Sequence, residues 1–332
     1  MLMRICLLAI ASFALAACDI GEITRVEEIN WQGPADAPAD WDAVLAEPVD
    51  LRVTAYITGE VEAGAGILID PDVEGVPAAY QDDIWVPAVS YLVEHPSGRT
   101  LLMDAGLKAG DCGYSILLVI NLGCRNVVGQ DVVTQLAGEE PKRIDYLMVS
   151  HFHGDHVSNL PAVLAAYDPV VLTTDAELAA VESAMRETSG YKREHVRADM
   201  RVQTIDAGLI EMPVLGKAAN VFGDGSVWLV PTPGHTPGHL SALLNTSEGP
   251  KLLTFDAAHL AATYAFNAPG SLSYDVDLGR DSINRMKAFV EAYPQTQVIY
   301  GHEPAQWVDR GIRNTLFTSR ADQSETNTQG DR

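Results

Sequence analysis

Ser150-His151-Phe152-His153-Gly154-Asp155-His156 packs three imidazoles and a carboxylate into seven residues. His151 and His153 alternate along an extended segment, so they face one way. Gly154 permits a sharp turn, after which Asp155 and His156 point elsewhere as a helix begins. One short segment can therefore serve two adjacent cations. Single groups of the same kind follow: His235 in Thr232-Pro-Gly-His-Thr-Pro-Gly-His239, Asp256 in Leu252-Leu-Thr-Phe-Asp-Ala-Ala258, and His302 in Tyr300-Gly-His-Glu-Pro304. The five His and two Asp are enough to hold two metal ions. Burying that many titratable groups costs free energy unless they are paired or ligated. A structural zinc site fits poorly, because such sites close with four ligands and favour Cys, and no Cys lies beside the cluster. The pattern points to metal-assisted hydrolysis.

The chain has 332 residues and is 47% hydrophobic, ample for one large core. Its 22 basic residues face 45 acidic ones, a balance that repels nucleic acid and anionic headgroups. There is no basic stripe, Walker loop, dinucleotide-binding glycine fingerprint or Gly-x-Ser-x-Gly elbow. At the N-terminus Arg4 precedes the apolar run Ile5 to Ala17, which has the length of a signal peptide rather than a membrane span. Leu15-Ala16-Ala17-Cys18 resembles a bacterial lipoprotein signal. Residues 1–17 would then be removed and Cys18 lipidated, anchoring the chain to a bacterial membrane on its periplasmic side. The alternative is a cleaved secretory signal and a free periplasmic protein. Acyl chains would supply the whole anchor, since an acidic surface cannot approach anionic lipid by charge. In that oxidising compartment Cys112 and Cys124 are a disulfide pair by their spacing; two buried thiols are the other reading.

Residues 18–50, rich in Ala, Pro and Asp, read as a tether. A single α/β domain is expected over 51–317, and a disordered polar tail over 318–332. Strands are expected at Leu51–Tyr56, Val89–His95, Thr100–Asp104, Arg143–Val149, Val170–Thr173, Val227–Val230, Lys251–Phe255 and Thr296–Tyr300. Helices are expected at Leu160–Tyr167 and Asp175–Glu187, and after a cap at Asp281, with Ile283, Met286, Phe289 and Val290 as the apolar face. Four of these strands deliver a ligand-type residue at or just past their C-terminal ends, where sites are commonly built. His95 reads as solvated and His195 as a surface residue. Trp85 and Tyr91 read as core. The apolar run Ile116 to Leu122 suits core or disulfide-loop packing better than an acyl pocket.

His-x-His-x-Asp-His, a later Thr-Pro-Gly-His, an Asp after a strand and a final Gly-His resemble the motif series of the metallo-β-lactamase superfamily, over roughly Val53 to Trp307. The resemblance implies an αββα sandwich. It also implies one metal on His151, His153 and His235, a second on Asp155, His156 and His302, and Asp256 bridging them. Asp104, in Leu102-Met-Asp-Ala-Gly106, matches an early Asp that hydrogen-bonds ligands; the alternative is a turn Asp closing a strand. His239 is expected beside the ligands rather than among them. The bridging carboxylate separates this chain from β-lactamases proper and joins it to hydrolases of esters, lactones, thioesters and phosphoesters. The order and spacing are similar to the N-acyl-homoserine lactonases, which often carry a Tyr three residues after the bridging Asp, where this chain has His259. The implied chemistry is a hydroxide shared by two divalent ions, zinc first and iron, manganese or cobalt as alternatives, attacking a lactone or ester carbonyl. Asp155 or His259 would help to move the proton. A phosphotriester or aryl-ester hydrolase, and a lipid-anchored metal-binding protein without turnover, are the competing readings.

Overall fold

The computed structural model describes residues 23–29, 31, 40–64, 66–108, 114–116, 120–138, 143–183, 190–192, 195–196, 200–307 and 313–317. The signal segment, Cys18, Cys112 and the tail 318–332 lie outside the described residues, as do the side chains of Ile116 to Leu122. Cys124 is disulfide-bonded.

In chain order the strands are β1 (Thr24–Arg25), β2 (Arg52–Ala63), β3 (Ile84–Glu94), β4 (Thr100–Met103), β5 (Tyr114–Ile116), β6 (Ile120–Arg125), β7 (Tyr146–Met148), β8 (Val170–Thr173), β9 (Arg201–Thr204), β10 (Ile210–Met212), β11 (Gly216–Asn220), β12 (Val227–Pro231), β13 (Leu240–Thr246), β14 (Gly249–Phe255), β15 (Gln297–Tyr300) and β16 (Arg313–Phe317). The helices are α1 (Trp41–Ala46), α2 (Val132–Leu136), α3 (Gly154–Val157), α4 (Leu160–Tyr167), α5 (Asp175–Glu182), α6 (Ala261–Phe266) and α7 (Val276–Ala292). One sheet runs β1-β9-β8-β7-β4-β3-β2-β6-β5, with β16 also paired to β2, and the other runs β10-β11-β12-β13-β14-β15.

Alternation along the strands builds four layers. Leu101 and Met103 of β4, Met148 of β7, and Val170 and Leu172 of β8 face Leu229, Ala242, Leu253 and Phe255 of the other sheet in one shared core. The residues between them, Leu102, Leu147 and Val171, turn outward under Val157, Val163 and Leu178 of α3, α4 and α5. On the opposite outer face Trp228, Val230, Leu243 and Leu252 pack under α1 and α7 through Trp41, Ile283, Met286 and Phe289. This is the expected αββα sandwich.

Strands β4, β7, β8 and β9 pair in parallel, as do β14 and β15. Parallel strands send their C-terminal ends to the same edge, so Asp104, the 150–156 segment, Asp256 and His302 leave the sandwich together.

Four expectations are corrected. The described part of the 18–50 tether is not a free spacer. Val26 N–H donates to Val202 O at 2.9 Å, and Trp41 is fully buried, edge-on to Trp228 and Phe289 at 5.2 and 5.5 Å. Asp281 does not cap a helix; Asp275 caps α7 by accepting from Asp277 and Leu278 N–H, which puts Asp281 inside it. His95 and His195 are not solvated surface groups. His95 Nε2 lies 2.6 Å from Asp224, with its ring against Phe222, and His195 is buried. Tyr91 is core as expected, whereas Trp85 is half-buried beneath the Arg125 guanidinium.

Candidate metal centre

The short strand β7 ends at Met148, the chain bends at Ser150, and an extended His153 leads into α3 at Gly154. His151 and His153 share one candidate metal group, while Asp155 and His156 lie on the first turn of α3. His235 sits in the loop between β12 and β13. That loop reaches the site because Gly234 lies against Gly279 of α7, where a Cβ on Gly234 would stand 2.3 Å from Gly279 Cα. Asp256 follows β14 directly, with Phe255 in the left-handed region at φ 45°. His302 follows β15 past Gly301, where a Cβ would meet Phe255 O at 2.5 Å, so only glycine lets the two strand ends approach.

The two oxygens of Asp256 face different partners. Oδ2 lies 3.6 Å from His151 Nε2 and 3.4 Å from His235 Nε2. Oδ1 lies 3.3 Å from His156 Nε2 and 3.0 Å from His302 Nε2. His153 Nδ1 joins the first group, 2.9 Å from His235 Nε2. Asp155 Oδ2 joins the second, 3.6 and 3.5 Å from the Nε2 atoms of His156 and His302. Donors about 2.0–2.2 Å from one tetrahedral cation stand about 3.3–3.6 Å from each other. Most of these separations have that size.

The buried Nε2 atoms of His151 and His156 and Oδ1 of Asp256 have no hydrogen-bond partner. Unpaired buried polar atoms are costly, and a cation in each cluster would satisfy them. The donor set of imidazole and carboxylate suits zinc, iron, manganese or cobalt. His151, His153 and His235, with Asp256 Oδ2, could hold one ion; Asp155, His156 and His302, with Oδ1, could hold the other.

The Nδ1 atoms of His151, His156 and His302 are tied down. His156 Nδ1 donates to Asp104 Oδ2 at 2.7 Å, and His302 Nδ1 to Pro87 O at 2.8 Å. The Ser150 hydroxyl donates to Asp104 Oδ2 at 2.8 Å and accepts from His151 Nδ1 at 3.1 Å. Each partner fixes a tautomer that aims Nε2 into the site. Asp104 is fully buried, at φ 60°, and also accepts from Ser150 N–H at 2.7 Å.

His239 stands outside the cluster. Its Nε2 accepts from Asp256 N–H at 3.1 Å, and its Nδ1 meets Thr232 Oγ1 at 2.9 Å. Thr232 in turn meets Ser241, whose hydroxyl donates to Thr254 O. Burial pushes His239 down to about 3, so it stays neutral and steadies the backbone of Asp256.

Burial and neighbouring imidazoles push His151 and His235 well below the usual histidine range, into the neutral form that ligates. Burial acts the same way on His156 and His302, but the surrounding carboxylates, Asp256 foremost, outweigh it and raise both. Burial would raise Asp256, yet His302, His156, His259 and His151 hold it well below the carboxylate range. These buried carboxylates call for positive charge.

His259 enters the cluster as an eighth candidate. Its Nε2 is 3.3 Å from Asp256 Oδ2, and its ring stacks on His302 at 5.8 Å. Glu177 was not among the expected residues. It is fully buried beside the site and accepts from the Phe152, Tyr191, Thr236 and Gly238 donors. Burial pushes its pKa up while those four donors pull it back. The signal that could have found it, Thr174-Asp-Ala-Glu177, reads as an ordinary helix-capping box.

The metallo-beta-lactamase superfamily model matches residues 83–245. An N-acyl homoserine lactonase, AttM, from Azorhizobium caulinodans is 28% identical over 238 residues, covering 68% of this chain and 85% of its own length. An N-acyl homoserine lactonase from a Bacillus species is 29% identical over 236 residues, covering 69% and 85%. Among solved structures, an N-acyl homoserine lactone hydrolase with N-hexanoyl-L-homoserine at its catalytic metal centre has a TM-score of 0.63 at 22% identity, covering 80% of this chain and 98% of its own. With the sandwich and the clustered His and Asp side chains at its edge, these likenesses show that the chain carries a metallo-beta-lactamase-like fold and is similar to hydrolases of that superfamily.

Proposed function

We propose that this chain is a dinuclear metal-dependent lactonase that opens N-acyl homoserine lactones. The observation that carries the reading is the division of Asp256, one oxygen toward each set of imidazoles. A pair of divalent ions bound there would supply an activated water and polarise the substrate carbonyl. The chain's own residues hold the geometry. His151, His156 and His302 are fixed by Ser150, Asp104 and the Pro87 carbonyl, so the site is pre-organised. His259 Nε2 would donate to a carbonyl oxygen as charge develops on it, and Asp155 would accept a proton.

Apolar surface beside the site suits an acyl chain. Tyr274 and Asp275 donate their N–H groups to the carbonyls of His235 and Gly234, and Leu272, Tyr274 and Leu278 stand exposed on that segment. The lactonase relatives and the product bound in the compared structure support the same substrate class.

Metal-replete protein should be assayed on an N-acyl homoserine lactone, an aryl ester, a phosphotriester and a cephalosporin. Turnover fastest on the lactone is expected, and His259→Phe should lower it by roughly 10²–10³-fold. Fastest turnover of the phosphotriester or aryl ester, or none of any substrate with two ions bound, would overturn the reading.

A further inference from the structure

Glu177 lies in α5, away from the ligand motifs, yet it joins the two loops that carry His151, His153 and His235. Its Oε1 accepts from Phe152 N–H at 3.1 Å and Tyr191 O–H at 2.9 Å. Its Oε2 accepts from Thr236 O–H at 2.8 Å and Gly238 N–H at 3.0 Å. Phe152 sits between His151 and His153, and Thr236 follows His235. Tyr191 also bridges to His153 and packs its ring 5.4 Å from that imidazole. The helix start reinforces the joint: Thr174 Oγ1 accepts from Glu177 N–H and donates to Gly238 O at 2.9 Å. Gly238 is pressed so close that a Cβ there would meet Glu177 N at 2.3 Å.

The two imidazoles of the other site are held differently. His156 is fixed by Asp104, and its carbonyl accepts from Ala105 and Gly106 N–H. His302 is fixed by Pro87. None of the four donors to Glu177 belongs to those contacts.

We propose that Glu177 is a positioning residue that clamps the two loops of the three-histidine site and sets the affinity of that site alone. The inference rests on the dinuclear reading above. A fully buried carboxylate with four donors is satisfied only while both loops stay docked; release of the His235 loop removes Thr236 and Gly238, and release of the His151–His153 segment removes Phe152 and frees the Tyr191 bridged to it, so the carboxylate is left short of partners. Glutamine at this position keeps the volume but turns an NH2 toward two of the donors, one of them a backbone N–H.

The test is a metal-affinity measurement on the full chain. Wild type, Glu177→Gln and Thr236→Val would be loaded with cobalt(II) and equilibrated against chelators of graded strength, with metal content and the visible cobalt bands read together. Thr236→Val removes one donor and keeps the fold should Glu177→Gln fail to accumulate. Glu177→Gln is expected to weaken one ion by roughly 10–100-fold and leave the other unchanged, with Thr236→Val smaller at the same ion. Parallel loss of both ions, or wild-type affinities with only a lower melting temperature, would overturn the proposal. Wild type holding fewer than two ions would instead remove the reading beneath it.

Discussion

Asp104 concentrates the reasoning at the scale of one residue. It receives three hydrogen bonds, from Ser150 N–H, the Ser150 hydroxyl and His156 Nδ1, and is itself fully buried. The motif series implied that role, and the alternative of a turn Asp closing a strand does not account for the bond to His156. Asp104→Asn keeps the shape but turns an amide donor toward groups that already donate. Metal affinity is expected to fall about 10–100-fold, measured by competition with a chelator; an unchanged affinity would refute the role. Ligand-type residues were legible because so many imidazoles and carboxylates have no reason to be buried together otherwise. Glu177 was not, because one Glu three residues after a Thr has a commonplace explanation, and only the three-dimensional path of Phe152 and Gly238 gives it another.

At the scale of the element, strands were read well where alternation is strict. Val170–Thr173 is β8 as expected, since each face of that strand meets a different core. Helix α7 was read for its apolar face but not for its start, because Asp275, Asp277 and Asp281 all qualify as caps and the choice is made by packing of Gly279 on Gly234. Helix α1 was missed because its neighbourhood is rich in Pro, Ala and Asp. The signal was Asp40 ahead of Trp41 and Val44, a capped turn with two apolar residues on one face. Trp41→Ala should destabilise the fold by about 3–5 kcal/mol, as for other large buried aromatics. Chemical denaturation checks this; a change near zero would mean that α1 does not dock.

At the scale of the whole molecule, parallel pairing places four strand ends at one edge, and the ligands come from four separate stretches of chain between His151 and His302. The fold and the site therefore depend on one another. A cation bound only by the folded chain stabilises it by mass action. The most direct measurement is the metal content of the purified full-length protein, wild type beside Asp256→Ala, together with the melting temperature before and after chelation. The account predicts two ions per chain in wild type, a marked loss of bound metal in Asp256→Ala, and a lower melting temperature once metal is removed. Wild-type protein that binds no metal at stoichiometric level, with a melting temperature indifferent to chelation, would contradict it.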